Sequence, residues 1–343
     1  MVRRLEFRKV QEVGGGTLSI SLPKRWAERY GIRKGNVVSL EIRSDGALVI
    51  YPTTRREKRQ LEYVIELTPE RRKFVNQEII SAYLLGFDVI KIVSPTKLES
   101  GERESIKRTI RKLIGLEITE EDLKSITLQC LVEAPTVDPK KILSRMKLLV
   151  SSMIKESLIA LKNVDAETAN LVVERDDEVD KLYFLAVRLL RSSISDPTLA
   201  ESLGLTPIEC LDYRLAAALL EDIADRAESV ARAVMELNRI GFAHVEEELL
   251  AAVEENVLKL LDHAFNAFVE RDISVMDRVR GIRTALRRLR EDVKDYILKL
   301  PPAVVEIAFR TVIDVSAMVS DIEDLMNLIV PRSLQQATYQ SAL

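Results

Sequence analysis

The chain has 343 residues, 47% of them hydrophobic and 31% charged, with aromatics at 5%; it is too long for one ordinary core, and this leucine-, alanine-, arginine- and glutamate-rich balance predicts a soluble, mainly helical protein of two or three domains. No run approaches the roughly 18 uninterrupted apolar residues of a membrane span, and the opening Met1-Val-Arg-Arg-Leu5 lacks the apolar stretch of a signal peptide, so a cytoplasmic location is expected. The net charge of −3 conceals a partition, +8 over residues 1–60 and −11 over the rest, which places a polyanion-binding module at the N-terminus.

Residues 7–13 and 17–22 alternate as strands around Gly14-Gly15-Gly16, and Pro23 opens a short helix over 24–30 that Gly31 ends. Residues 36–42 and 47–51 then form a hairpin around Ser44-Asp45-Gly46. A unit of this size has too little core to stand alone, so an intertwined dimer is expected. The run GGGTLSISLPKRWAERYGIRKGNVVSLEI resembles the AbrB/MazE-like (SpoVT-AbrB) swapped-hairpin DNA-binding domain. That resemblance implies a swapped-hairpin β-barrel, a homodimer, and DNA contact through Arg3, Arg4, Arg8 and Lys9, with Lys24 and Arg25 as weaker candidates. Arginine at such positions neutralises phosphates and reads base edges bidentately. Trp26 is assigned to core or interface packing, and the basic run 55–59 to a linker.

Over 60–136 the pattern becomes β-α-β-α-β, with strands at 63–67, 89–93 and 126–132 and helices at 74–85 and 102–113. It contains no GxGxxG or GK[ST] loop and reads as a small α/β connector without chemistry of its own. Everything after residue 140 is helical: 141–163, 166–193, 207–238, 245–269, 274–300 and 303–329, two three-helix bundles. These bundles are a repeat. A shift of 107 residues pairs Met153 with Leu260, Leu158 with Phe265, Asp165 with Asp272, Val172 with Val279 and Leu190 with Ile297; in the third helix the shift is 96 and pairs Asp225 with Asp321.

Two acidic segments stand out in the first repeat, ERDDEVDK at 174–181 and LEDIADRAE at 220–228. In each, two carboxylates lie four residues apart on one helix face: Asp176 with Asp180, and Glu221 with Asp225. They form either a metal platform or a solvated face, the latter supported by the i,i+4 pairs Asp177–Lys181 and Asp222–Arg226. The tandem three-helix repeat with D-x-x-V-D and E-D-x-x-D-R-A resembles the PhoU family of phosphate-uptake regulators, and the order of head, connector and body resembles its archaeal members. The resemblance implies metal at Asp176, Asp180, Glu221 and Asp225, with iron, zinc, manganese or magnesium as the ion. Carboxylates without cysteine or histidine suit hard or borderline ions such as magnesium, manganese or iron. In the second repeat Asp176 becomes Arg283, Asp180 becomes Arg287 and Glu221 becomes Ala317, so a second cluster is not expected there.

Cys130 and Cys210 have no CxxC or Cys/His company, and His244 and His263 are the only histidines, so a disulfide framework, a zinc finger and a histidine-based nucleophile are all unexpected. The expected organisation is a swapped-hairpin head at 1–54, a connector at 60–136, and PhoU-like repeats at 140–239 and 244–331. The implied function is control of phosphate uptake by a non-enzymatic, DNA-binding regulator whose body senses metal or a signalling partner. The alternative is an adaptor that binds a phosphate transporter or sensor kinase without touching DNA.

Overall fold

The computed structural model describes residues 6–42, 46–52, 60–133, 136–242 and 245–334; Arg3, Arg4, His244 and the basic run 55–59 lie outside these residues. The chain divides into two compact units, Met1–Arg59 and Gln60–Leu343.

In the first unit, β1 (Gln11–Val13) pairs antiparallel with β2 (Thr17–Ser19) across Gly14, Gly15 and Gly16, whose φ angles of 48°, 70° and 104° are ones that glycine alone adopts cheaply. Helix α1 (Lys24–Arg29) follows Pro23, and a second hairpin pairs β3 (Ser39–Ile42) with β4 (Leu48–Tyr51). Both hairpins are shorter than the alternation suggests. Among the described residues they remain separate two-stranded sheets, without the closed barrel. None of the described residues of this unit is buried. Leu40 and Ile42 stand opposite Ile50 and Leu48 on one hairpin face, with Leu40 61% and Ile42 79% exposed. One chain supplies the apolar face but no layer to cover it.

The second unit opens with the connector. β5 (Glu62–Glu66) and β6 (Val89–Val93) are parallel and joined by α2 (Val75–Leu84); α3 (Ser100–Arg111) leads to a hairpin of β7 (Leu116–Glu121) and β8 (Ser125–Cys130), and the sheet order is β5-β6-β8-β7. Strand β7 adds to the three expected strands. A bulge between Ile118 and Glu120 breaks its alternation, and its acidic end is neutralised from α3, where Arg103 and Lys107 pair with Glu121.

The body has α4 (Pro139–Asn163), α5 (Ala166–Ser195) and α7 (Pro207–Arg239) as its first three-helix unit. Its second is α8 (Glu247–Glu270), α10 (Arg280–Ile297) and α11 (Pro302–Asn327). Between α5 and α7, in a stretch that reads as a loop, Asp196 caps and Pro197 begins a one-and-a-half-turn helix, α6 (Pro197–Ser202). The helix expected over 274–300 is split at Val279 into α9 (Val275–Arg278) and α10.

The backbone repeats the 107-residue register. Helices α4 and α8 both end on a non-glycine residue in the left-handed region, Val164 (φ 50°) and Arg271 (φ 59°). Each is followed by an aspartate that caps the next turn: Asp165 accepts from the backbone N–H of Glu167 and Thr168, and Asp272 from that of Ser274. The two repeats share one continuous hydrophobic core, while the connector has its own around Ile65, Ile79, Ile90, Ile106 and Ile126. Connector and body are fastened by buried Arg188 of α5, which donates to the carbonyls of Tyr83 (2.6 Å), Phe87 (2.9 Å) and Gly86 (3.4 Å) at the end of α2. Cys130 and Cys210 are buried and free, one in each core. No helix among the described residues is long and apolar enough to cross a membrane.

Candidate metal centre

Helix α7 is alanine-rich on its inner side: Ala217, Ala224, Ala227 and Ala231 are fully buried. Small side chains let neighbouring helices approach closely, and α5 packs along it through Val172, Val179 and Ala186. That packing decides where the flanking carboxylates go. Asp176 and Asp180, one helical turn apart on α5, meet Asp225 of α7, and one oxygen from each lies within 4.8 Å of the other two. Glu221 sits one turn before Asp225 but outside this trio.

Burial and mutual repulsion raise all four carboxyls, and nearby cations offset this only in part. Burial, then Asp180 and Asp225, push the Asp176 carboxyl up to about 7. Burial, then Asp225 and Asp180, push Glu221 up to about 7 as well. Asp180 and Asp225 shift the same way, burial leading in both, with Lys112 opposing the shift at Asp180 and Arg226 opposing it at Asp225. The Oδ1 atom of Asp176 is buried and accepts no hydrogen bond. Carboxylates arranged in this way offer a ready oxygen cage to a cation.

Lys112 is the residue that sequence reasoning missed. It follows α3 in the connector and lies 3.2 Å from Asp177 and 3.5 Å from Asp180. The two expected intrahelical pairs, Asp177–Lys181 and Asp222–Arg226, are not among the ion pairs of the described residues; their partners come from other helices. Asp177 meets Lys112, and Arg226 lies 3.9 Å from Asp314 of α11. Glu228 is held by Arg232 one turn on.

In the second repeat, Arg283 stands where the first has Asp176 and pairs with Glu323 at 2.5 Å. Asp321, the counterpart of Asp225, faces α7 instead: burial and then Asp222 push it up to about 6, and its Oδ2 is buried without a hydrogen bond. Among the described residues only the first repeat forms a three-carboxylate group. His263 is half-buried on α8 and belongs to no such group. In the head, Arg8 pairs with Glu6 and Lys24 lies 3.8 Å from Glu28, while Lys9 and Arg25 are exposed; Trp26 is half-buried against Tyr30, their rings 5.6 Å apart.

Residues 143–234 match the family model of the PhoU domain, and residues 11–58 match that of the antidote-toxin recognition protein MazE, a bacterial antitoxin. The crystal structure of PhoU from Pseudomonas aeruginosa is similar in fold, with a TM-score of 0.50 and 18% identity, over 57% of this chain and 96% of that one. No curated protein sequence matches the chain.

Proposed function

We propose that the protein is a dimeric, DNA-binding regulator of phosphate uptake, cytoplasmic, whose helical body takes up a hard cation at Asp176, Asp180 and Asp225 with Glu221 beside them. The observation that carries this reading is the joining, in one chain, of a basic segment similar to MazE and a helical body similar to PhoU. The carboxylate trio supports the cation. Its donors are all oxygens, and Asp176 Oδ1 has no donor of its own, a set that fits magnesium, manganese or iron better than zinc. A bound cation would neutralise the repulsion among these groups. Lys112 gives the site a route outward: it pairs with Asp177 and Asp180, and a cation at Asp180 competes with it, changing what ties the connector to the body.

In the head, Arg8 and Lys9 are the leading DNA contacts, with Lys24 and Arg25 behind them and Arg3 and Arg4 on the preceding segment. Titrating full-length protein onto DNA from its own upstream region at two salt concentrations should give affinity that falls steeply with salt. Arg8→Ala with Lys9→Ala is expected to reduce the salt slope by about 1 for each phosphate left without its cation. Absence of salt-dependent binding, with both substitutions changing nothing, would eliminate DNA contact and leave an adaptor to a phosphate transporter or sensor kinase.

The dimer rests on the uncovered hairpin face, since an isolated hairpin is marginal in water. Leu40→Asp with Ile42→Asp is expected to convert a dimer to monomers by light scattering and to abolish DNA binding. A wild-type protein that is monomeric at micromolar concentration would refute this.

A further inference from the structure

The second repeat is not a copy of the first in one respect. Helix α5 buries ten residues against its neighbours, whereas α10 buries only Leu286 and Ile297. Its other apolar residues, Leu289 and Val293 among them, line a slot of about 330 Å³ between α10 and α11, to which Leu161 of α4, Leu237 of α7 and Leu250 and Val253 of α8 also contribute. The slot is polarised. At the turn between the two helices it is walled by Tyr296, Ile297, Leu300 and Val304, and at the other end by Arg283, Arg287 and Glu323.

The arginines continue along the lip. Arg283, Arg287 and Arg290 recur at helical spacing beside the apolar stripe of Leu286, Leu289 and Val293, facing Ser316 and Ser320 of α11. Glu323 compensates Arg283, but Arg287 and Arg290 are exposed and have no ion pair or hydrogen bond among the described residues.

Dimensions narrow the occupant. The stretch of α10 along it, Arg283 to Ile297, runs roughly 20 Å, and about 330 Å³ lies at the lower end of the roughly 300–1,000 Å³ of small-molecule sites. That suits one extended apolar chain rather than a partner helix about 10 Å across.

We infer that the slot between α10 and α11 binds a single-chain anionic amphiphile, its tail toward Leu300 and Val304 and its head group, a carboxylate or phosphate monoester, on Arg287 and Arg290. This assignment rests on neither the metal nor the DNA reading.

The test uses delipidated full-length protein and 11-(dansylamino)undecanoate as a fluorescent probe. Saturable binding at one site per chain is expected, with displacement by palmitate or dodecyl phosphate; the stronger of the two identifies the head group. Hexadecanol should displace the probe at least tenfold more weakly. Arg287→Glu with Arg290→Glu, both on the surface, should weaken the probe at least tenfold while leaving the helical circular dichroism intact, and Val315→Trp should block the slot. Absence of saturable binding, equal displacement by hexadecanol, or indifference to the two arginine substitutions would each overturn the assignment. Capture of a helical peptide that excludes the probe would do so too.

Discussion

Asp176→Asn is expected to make the metal-free protein more stable at pH 8, by about 2 kcal/mol, and at the same time to remove the stabilisation that added manganese or iron gives the wild type. Most substitutions of a partly buried residue destabilise. This one reverses the sign because the wild-type carboxyl, pushed from 3.8 up to about 7, is held charged at pH 8 against burial, Asp180 and Asp225. Such a shift converts to at most ~4 kcal/mol at 1.36 kcal/mol per unit, and screening at a site partly open to solvent reduces it.

The pH dependence follows from the direction of the shift. A carboxyl whose folded value is raised costs nothing below 3.8, where both states are protonated, and the cost grows as pH rises from there to about 7. In chelator, the Asn variant and wild type should therefore melt together near pH 4, separate progressively up to about pH 7 and keep a constant difference above it. Metal analysis supplies the second readout: Asp176→Ala with Asp225→Ala should purify without the ion. A variant that melts below wild type at pH 8, or retains its metal, would show that the trio is an ordinary solvated face.

The parts of this site carried by one helix are legible in the sequence, because i,i+4 spacing on α5 and α7 is a property of the helix alone. The glycine run before β2 and the two aspartates 107 residues apart are legible for the same reason: each encodes a local backbone conformation, a left-handed turn or a helix cap. What depends on which elements become neighbours is not. Lys112 lies 64 positions before Asp176 and reaches the cluster only because the connector docks on α5. Asp321 belongs to the second repeat by register, but the packing of α11 on α7 turns it toward Asp222. Strand β7 is hidden by its glutamates, of which Glu121 is compensated by Arg103 and Lys107 on α3 rather than within the strand. Helix α6 is different: Asp196-Pro197 is a start signal readable from sequence, and what masks it is the shorter second repeat, which has no counterpart to this helix.

The docking of the connector should depend on one side chain. Arg188 and Arg332 are both nearly sealed from solvent, at 5% and 1% exposure, yet unequal costs are expected on replacing them with methionine. The guanidinium of Arg188 is satisfied by three carbonyls at the end of α2, where the exposed C=O groups of a helix terminus attract a cation, and it stacks 4.9 Å from the Tyr83 ring. Arg188→Met takes this donor from the Phe87 and Gly86 carbonyls and leaves that of Tyr83 only the N–H of Gly86, so a loss of about 2–3 kcal/mol is expected. Arg332 instead lies between Phe268 at 4.3 Å and Tyr213 at 4.8 Å with none of its three nitrogens hydrogen-bonded, and Asp212 stands 3.5 Å away. The desolvation of that charge is poorly repaid, and methionine keeps the packing against both rings, so replacing the pair together, Arg332→Met with Asp212→Asn, should cost about 1 kcal/mol or less. Urea denaturation of both variants measures the difference, and hydrogen exchange at the end of α2 localises it, because only Arg188→Met should expose those amides. Equal losses would mean that connector and body are held by apolar packing alone, and that Lys112 has no rigid frame through which to report the state of the carboxylate cluster.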